Sequence, residues 1–380
     1  MLEFYFICLL YLGLIALRFY LSYRFTRGKG GQAGPLREKD LTILQSLSSD
    51  VPELKETLKA NLSLSHDLDF IWVLDREDQE AQDLVRELLD ETGQRSRVQL
   101  LFAPPAPQGL HPDSFKYQMA LDLIKRPYTM ILDQSLLLDL NSLQTNGGGK
   151  EQVLAQGLVY QTQTQTKWER LYAAGLNDRA FLAQLPLAVA KQLLPSSPIC
   201  LLLPSQLLHE AGFWQEVEGY FHPLFAIEQA AAKRGYELKQ SLILAASNKK
   251  LGVGRIYLEE MTKQFLFYQF YLQKKREVLL LVLAVLPSLL NVSLLLWTLF
   301  LPSYILISYL SVLLAKEVIF YLYRSRILSD NLPLSEILFH LISEWFLPFF
   351  LIKVLVDPPV LRLGHLKVRI DEEGHFQEED

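Results

Sequence analysis

Apolar positions bunch at the two ends of the chain, and between them they recur in short runs. Phe4 to Tyr23 is mostly Leu, Ile, Phe and Tyr, long enough to span a bilayer. Its basic residues, Arg18, Arg24, Arg27 and Lys29, sit at or after the end of the run, and Glu3 stands where a cleaved signal peptide carries positive charge. The expectation is a signal-anchor that leaves the following domain in the cytoplasm. Near the C-terminus, Val278 to Leu301 carries no charge and follows Lys274, Lys275 and Arg276, and Tyr304 to Tyr323 ends at Arg324 and Arg326. The two read as a hairpin that leaves the cytoplasm and returns, with Lys316 and Glu317 pairing or snorkelling near its end. Leu334 to Val356 is a third apolar run, interrupted by Glu336, His340, Glu344, Pro348 and Lys353. Spanning, re-entrant and interfacial placements of it all fit.

In the middle of the chain, runs with strand character alternate with helical ones. Leu41 to Leu47, Phe70 to Leu74, Val98 to Phe102 and Tyr128 to Leu132 predict strands. Pro52 to Leu64, Gln79 to Glu91 and Phe115 to Ile124 predict helices, with Asp50 as the cap of the first. This alternation implies an α/β fold with a mainly parallel sheet and helices on both faces. Ligands of such sheets bind outside the carboxyl ends of the strands, and Asp75 and Asp133 follow two of those ends. The glycine run within Gln144 to Lys150 lacks phosphate-loop spacing and reads as a connector. Gln161 to Gln165 reads as an edge or exposed strand, and Phe181 to Leu194 as an apolar helix that rests on the membrane or packs into a core. The expected organisation is an anchor over 1–27, a Gly-rich basic linker over 28–40, a cytoplasmic domain over 41–276, membrane helices over 277–356 and a polar tail over 357–380.

Composition adds constraints. Half of the 380 residues are hydrophobic, and a mean hydropathy of +0.14 is high for a soluble protein. A net charge of −5 gives no bulk basic character for nucleic acid. Cys8 and Cys200 are the only cysteines, so no disulfide framework is implied, which suits a cytoplasmic domain. The seven histidines show no metal-ligand spacing.

Five stretches together resemble family 2 glycosyltransferases of the GT-A fold, in particular the ceramide glucosyltransferase-like group. LTILQSLSSDVPELKETLKANL is similar to that group's first strand and helix, and FIWVLDREDQEA to its second strand with the Asp that meets the nucleotide. FKYQMALDLIKRPYTMILDQSLLLD is similar to the segment that carries a Lys and then D-x-D. LLPSQLLHEAGFWQEVEGYF resembles a strand and "GGF" turn, and LRLGHLKVRIDEEG the closing "WRG" tail. The resemblance implies a GT-A-like domain between an N-terminal transmembrane helix and C-terminal membrane helices. It implies transfer of a sugar from a UDP-sugar to a membrane lipid such as ceramide, with Mg²⁺ or Mn²⁺ on the leaving diphosphate. A bacterial inner membrane is favoured over an ER or Golgi membrane.

Carried over residue by residue, the pattern has gaps. Asp75, Asp78, Lys116, Asp133, Gln264 and Tyr268 stand at substrate-binding positions, and Asp133 with Ser135 at the metal position. Ser135 replaces the second D-x-D acid, Gln229 replaces the Asp expected as base, and Phe267 replaces the Arg of Q-x-x-R-W. Glu228, next to Gln229, would substitute as base only if the backbone re-aims it. Plainer readings stand beside these: Asp75 and Asp133 as turn caps, Lys116 as a solvated helix residue, Glu228 as an ordinary helical one. The expected function is a glycosyltransferase-like membrane protein with weakened or lost catalysis. The alternative is a non-catalytic membrane partner that keeps the shape and binds another subunit.

Overall fold

The computed structural model describes residues 2–28, 36–146, 152–194, 196–275, 281–328, 334–356, 361–363, 366–370 and 375–378. The Gly-rich linker over 29–35, the glycine run, Arg276 and Gly364 lie outside the described residues, as do the side chains of Phe267 and Tyr268. In chain order the elements are α1 (Leu2–Arg27), β1 (Leu41–Leu47), α2 (Leu54–Leu62), β2 (Asp69–Asp75), α3 (Gln79–Thr92), β3 (Val98–Ala103), α4 (Pro112–Met119), β4 (Tyr128–Leu132), β5 (Leu136–Leu138) and α5 (Leu140–Asn146). They continue with β6 (Val153–Tyr160), α6 (Lys167–Arg179), α7 (Leu185–Val189), β7 (Cys200–Pro204), α8 (Ser205–Leu208), α9 (Pro223–Lys233), β8 (Glu237–Ser247), α10 (Gly254–Lys275), α11 (Leu286–Thr298), α12 (Ser303–Leu328) and α13 (Glu336–Val356). The chain divides into two compact units.

The α/β unit comprises Gly31–Val159, Pro195–Lys250 and Pro359–Asp380. Its eight-stranded sheet has the order β3-β2-β1-β4-β7-β6-β8-β5. The βαβα half is parallel, with Leu44 of β1 between Ile71 of β2 and Ile131 of β4. Beyond β4, β7 pairs antiparallel with β4 and with β6, and β5 pairs antiparallel with β8. The parallel half is covered on both faces, so all seven residues of β1 are buried. Trp72 is fully buried at its centre, and its indole Nε1 donates to Gln45 Oε1 at 3.0 Å. Gly157 on β6 is required by close approach: a Cβ there would overlap the Cys200 Sγ and stand 3.1 Å from the Ile243 carbonyl. Asp50, expected to cap α2, does not: the cap position is Glu53, with no side-chain hydrogen bond. Residues 361–378, expected as polar tail, include three short strands, Leu361–Leu363, Leu366–Ile370 and Phe376–Glu378, paired antiparallel.

The helical unit comprises Met1–Gly30, Tyr160–Leu194 and Leu251–Pro358. Among the described residues three stretches, Glu3–Arg27, Ser303–Leu328 and Glu336–Val354, are long and apolar enough to cross a membrane. The third apolar run is therefore one helix of spanning length. The described part of the first hairpin arm is the shorter apolar stretch Val282–Thr298. Gln161 to Gln165 forms no strand. Instead the Asn177 side chain brackets Gln161, accepting from its amide at 2.9 Å and donating to its carbonyl at 2.8 Å, which replaces a ladder partner. Phe181 to Leu187 is buried within the unit.

Most charges of α12 and α13 point inward, while Arg326 and Lys353 are exposed. On α12 the buried positions include Tyr309, Leu313, Lys316, Glu317, Phe320 and Arg324, one stripe with helical spacing. On α13, Glu336, His340 and Glu344 recur every fourth residue and are buried. Lys316 Nζ meets Glu344 at 2.5 Å and Glu317 at 2.7 Å, Tyr11 donates to Glu344 at 3.2 Å, and Arg324 pairs with Glu336. Lys316 and Glu317 thus pair inside the bundle, where a lone charge would be costly.

Candidate functional site

Because β1, β2 and β4 are parallel, their carboxyl ends lie on one edge of the sheet, and the chain stitches that edge together with polar contacts. Asp75 closes β2. Lys116 on α4 reaches it, with Nζ 2.8 Å from Asp75 Oδ2 and 3.5 Å from the Leu47 carbonyl at the end of β1. The lysine is buried while the carboxylate is 37% exposed, so the pair has one face open to solvent. Asp78 caps α3, accepting from Ala81 N at 3.0 Å and from Ser49 N at 2.8 Å. Burial raises its pKa, but the amides of Ala81 and Ser49, with Lys116 nearby, outweigh that and the net shift is downward. Gln134 Oε1 accepts from Ser48 N at 2.7 Å, tying the turn after β4 to the turn after β1.

At the end of β4, Asp133 Oδ1 accepts from the amide of Ser135 at 2.9 Å and from its hydroxyl at 2.7 Å. This is the turn-capping geometry open to any Asp, and Ser135 occupies the place of a second acid. Burial holds the Asp133 carboxyl above the ordinary range, partly opposed by Ser135 and by Lys249. For Mg²⁺ or Mn²⁺ this offers one carboxylate and a hydroxyl, a set that needs substrate phosphate oxygens to complete it. Among the described residues no three His, Cys, Asp or Glu side chains converge as a metal cluster.

The edge therefore brings together Asp75, Asp78, Lys116, Asp133 and Ser135. Glu228 lies half-buried on α9, which packs against β8 and the turn Trp214–Glu216, and Gln229 beside it is exposed. Gln264 belongs to the helical unit, buried, donating to the Tyr172 hydroxyl at 3.0 Å. Lys249 was missed by the sequence reading. It follows β8, and Asn248 beside it donates its amide to the Ser135 carbonyl at 2.9 Å. Two consecutive lysines, Lys249 and Lys250, directly after a strand were the only signal.

A mannosyltransferase from Pyrobaculum calidifontis, solved with GDP-Man and Mn²⁺, matches with a TM-score of 0.53 at 12% identity, over 94% of this chain and 99% of its own. The fold is GT-A-like. Glucosyl-3-phosphoglycerate synthase from Mycobacterium tuberculosis, solved with Mn²⁺, UDP and phosphoglyceric acid, aligns at a TM-score of 0.34 and 11% identity, over 64% of this chain and 82% of its own. No family model and no curated protein matches the sequence.

Within this GT-A-like fold, the helix carrying Lys116 depends on a neutral histidine. His111 caps α4, its Nδ1 accepting from Asp113 N at 3.1 Å. Burial lowers its pKa, Lys116 lowers it further and Asp113 opposes them. The neutral form thus stabilises the fold above the ordinary histidine value of about 6.5, and that contribution is lost as pH falls through the lower folded value. His111→Asn keeps a capping acceptor without a titration. The wild type should lose melting temperature relative to this variant below about pH 6.5, and parallel curves would show that His111 is not responsible.

Proposed function

We propose that this is a membrane-bound glycosyltransferase-like protein that binds a UDP-sugar at the carboxyl edge of β1, β2 and β4. Its main domain is cytoplasmic, its acceptor is a membrane lipid such as ceramide, and its transfer chemistry is weakened or lost. The supporting observation is Lys116 seated on Asp75 at the strand edge that also carries Asp133, two strands away at the end of β4. Asp75 and Asp78 offer acceptors to the nucleoside, and Lys116 offers a cation near the diphosphate. Asp133 would hold Mg²⁺ or Mn²⁺ together with diphosphate oxygens, and the ion would supply charge neutralisation at the leaving group. Chemistry is weakened because Asp133 spends one oxygen on Ser135, and because Gln229, where the base is expected, takes no proton near neutral pH. Loss of a general base costs roughly 10²–10⁴ in rate. A non-catalytic partner of another subunit is the second reading, supported by the same replacements.

Calorimetric titration of the purified full-length protein with UDP, with and without Mn²⁺, tests this alongside turnover assays. UDP should bind, Asp133→Ala should abolish the gain from Mn²⁺, and hexosyl transfer to ceramide should be slow or absent. Absence of UDP binding would remove the nucleotide reading. Brisk turnover that vanishes in Asp133→Ala would overturn the weakened-catalysis reading.

A further inference from the structure

The helical unit contains a cavity. Arg18 of α1, Asp178 and Arg179 of α6, Gln264 of α10 and Ser288 of α11 give it polar groups. Its remaining wall is apolar, with Met261 and Phe265 on one side and Leu347 and Leu351 on another. All five polar residues are buried.

The position of Arg18 follows from a local irregularity. After α6 the helix widens over Ala180–Gln184 before α7 resumes. A wide turn breaks the regular ladder and leaves carbonyls for other donors. Two residues one helical turn apart on α1 supply those donors: Ser22 Oγ donates to the Phe181 carbonyl, and Arg18 Nε donates to the Leu182 carbonyl at 2.5 Å. Among the described residues this is the one hydrogen bond of Arg18, so its guanidinium is fixed through Nε while its terminal nitrogens keep their donors. Asp178 is the carboxylate of the lining, and it also faces His340 at 3.4 Å. The charged groups of the lining are thus the guanidinium groups of Arg18 and Arg179 and the Asp178 carboxylate, which interacts with Arg18.

We infer that this cavity binds a membrane lipid with an anionic phosphate headgroup. The phosphate sits on Arg18, a guanidinium being suited to phosphate oxygens. The chain lies along Met261, Phe265 and Leu351. A buried arginine within a helix of spanning length marks a ligand or ion site rather than chance placement. If this lipid is the acceptor, the acceptor is a phosphate-bearing amphiphile in place of ceramide, which carries no phosphate. That extension rests on the proposed transfer, while the binding itself does not.

The test uses the full chain in detergent and three probes: phosphatidic acid, diacylglycerol with the same chains, and inorganic phosphate. Native mass spectrometry or competition should show phosphatidic acid bound about 10-fold or more tightly than diacylglycerol, with no displacement by equimolar inorganic phosphate. Arg18→Gln should weaken phosphatidic acid about 10-fold. Ser288→Phe, which puts a bulky ring into the lining from α11 and leaves Arg18 in the sequence, should block it, with the elution profile and UDP binding of both variants unchanged. Equal affinity for the two lipids, or indifference to both variants, overturns the proposal. Displacement by inorganic phosphate would make it a free-phosphate site and overturn the lipid assignment. Loss of UDP binding in the wild type bears on the transferase reading alone.

Discussion

Lys316→Met is expected to lower the stability of the helical unit by about 3–5 kcal/mol, because it strands two buried carboxylates, Glu317 and Glu344, without their shared cation. In a thermal scan in detergent this amounts to roughly 10 °C. The three side chains are 5%, 1% and 2% exposed, so water does not replace the lost partner. Adding Glu317→Leu and Glu344→Leu in the Lys316→Met background should recover much of the loss, since removing every member of a buried ion cluster costs far less than removing its one cation. A single variant within about 0.5 kcal/mol of the wild type, the range of ordinary surface substitutions, would show that the cluster contributes little.

The second large effect is on binding. Lys116→Met should weaken UDP about 10- to 100-fold, as expected for a lost hydrogen bond to a charged group. The fold should tolerate it, because Asp75 is 37% exposed and water can take the place of the lysine. Lys316 and Lys116 thus differ in environment, not chemistry: one pairs in a closed interior, the other at an open edge. A Kd unchanged in Lys116→Met, with the melting temperature also unchanged, would remove Lys116 from the site.

Much of the fold was legible in advance. β1 and β4 begin and end where their apolar runs do, β2 is longer by a residue at each end, and β3 and α3 run one residue further at their carboxyl ends. A buried strand announces itself by a short continuous apolar run, and a spanning helix by a long one. The edge carrying Asp75 and Asp133 was legible for a related reason: parallel strands joined by helices place their carboxyl ends together whatever the side chains are. The antiparallel half was not legible in the same way, since the pairing of β7 with β4 and of β8 with β5 joins residues far apart in the chain.

Three features have no local signature. Residues 160–194 look like part of the α/β domain by position, yet they pack with the apolar helices. The Lys316 cluster shows as charges in apolar runs, but whether they meet each other or reach for the surface depends on how α12 and α13 are rotated. Arg18 was expected to mark the end of an anchor, and it meets the carbonyl of Leu182, which is available because the helix widens there. Strands, spans and the polar strand edge follow from spacing along the chain, which is encoded residue by residue. Helix rotation, long-range pairing and a single widened turn are settled only by packing, and they are what placed buried charge around a cavity.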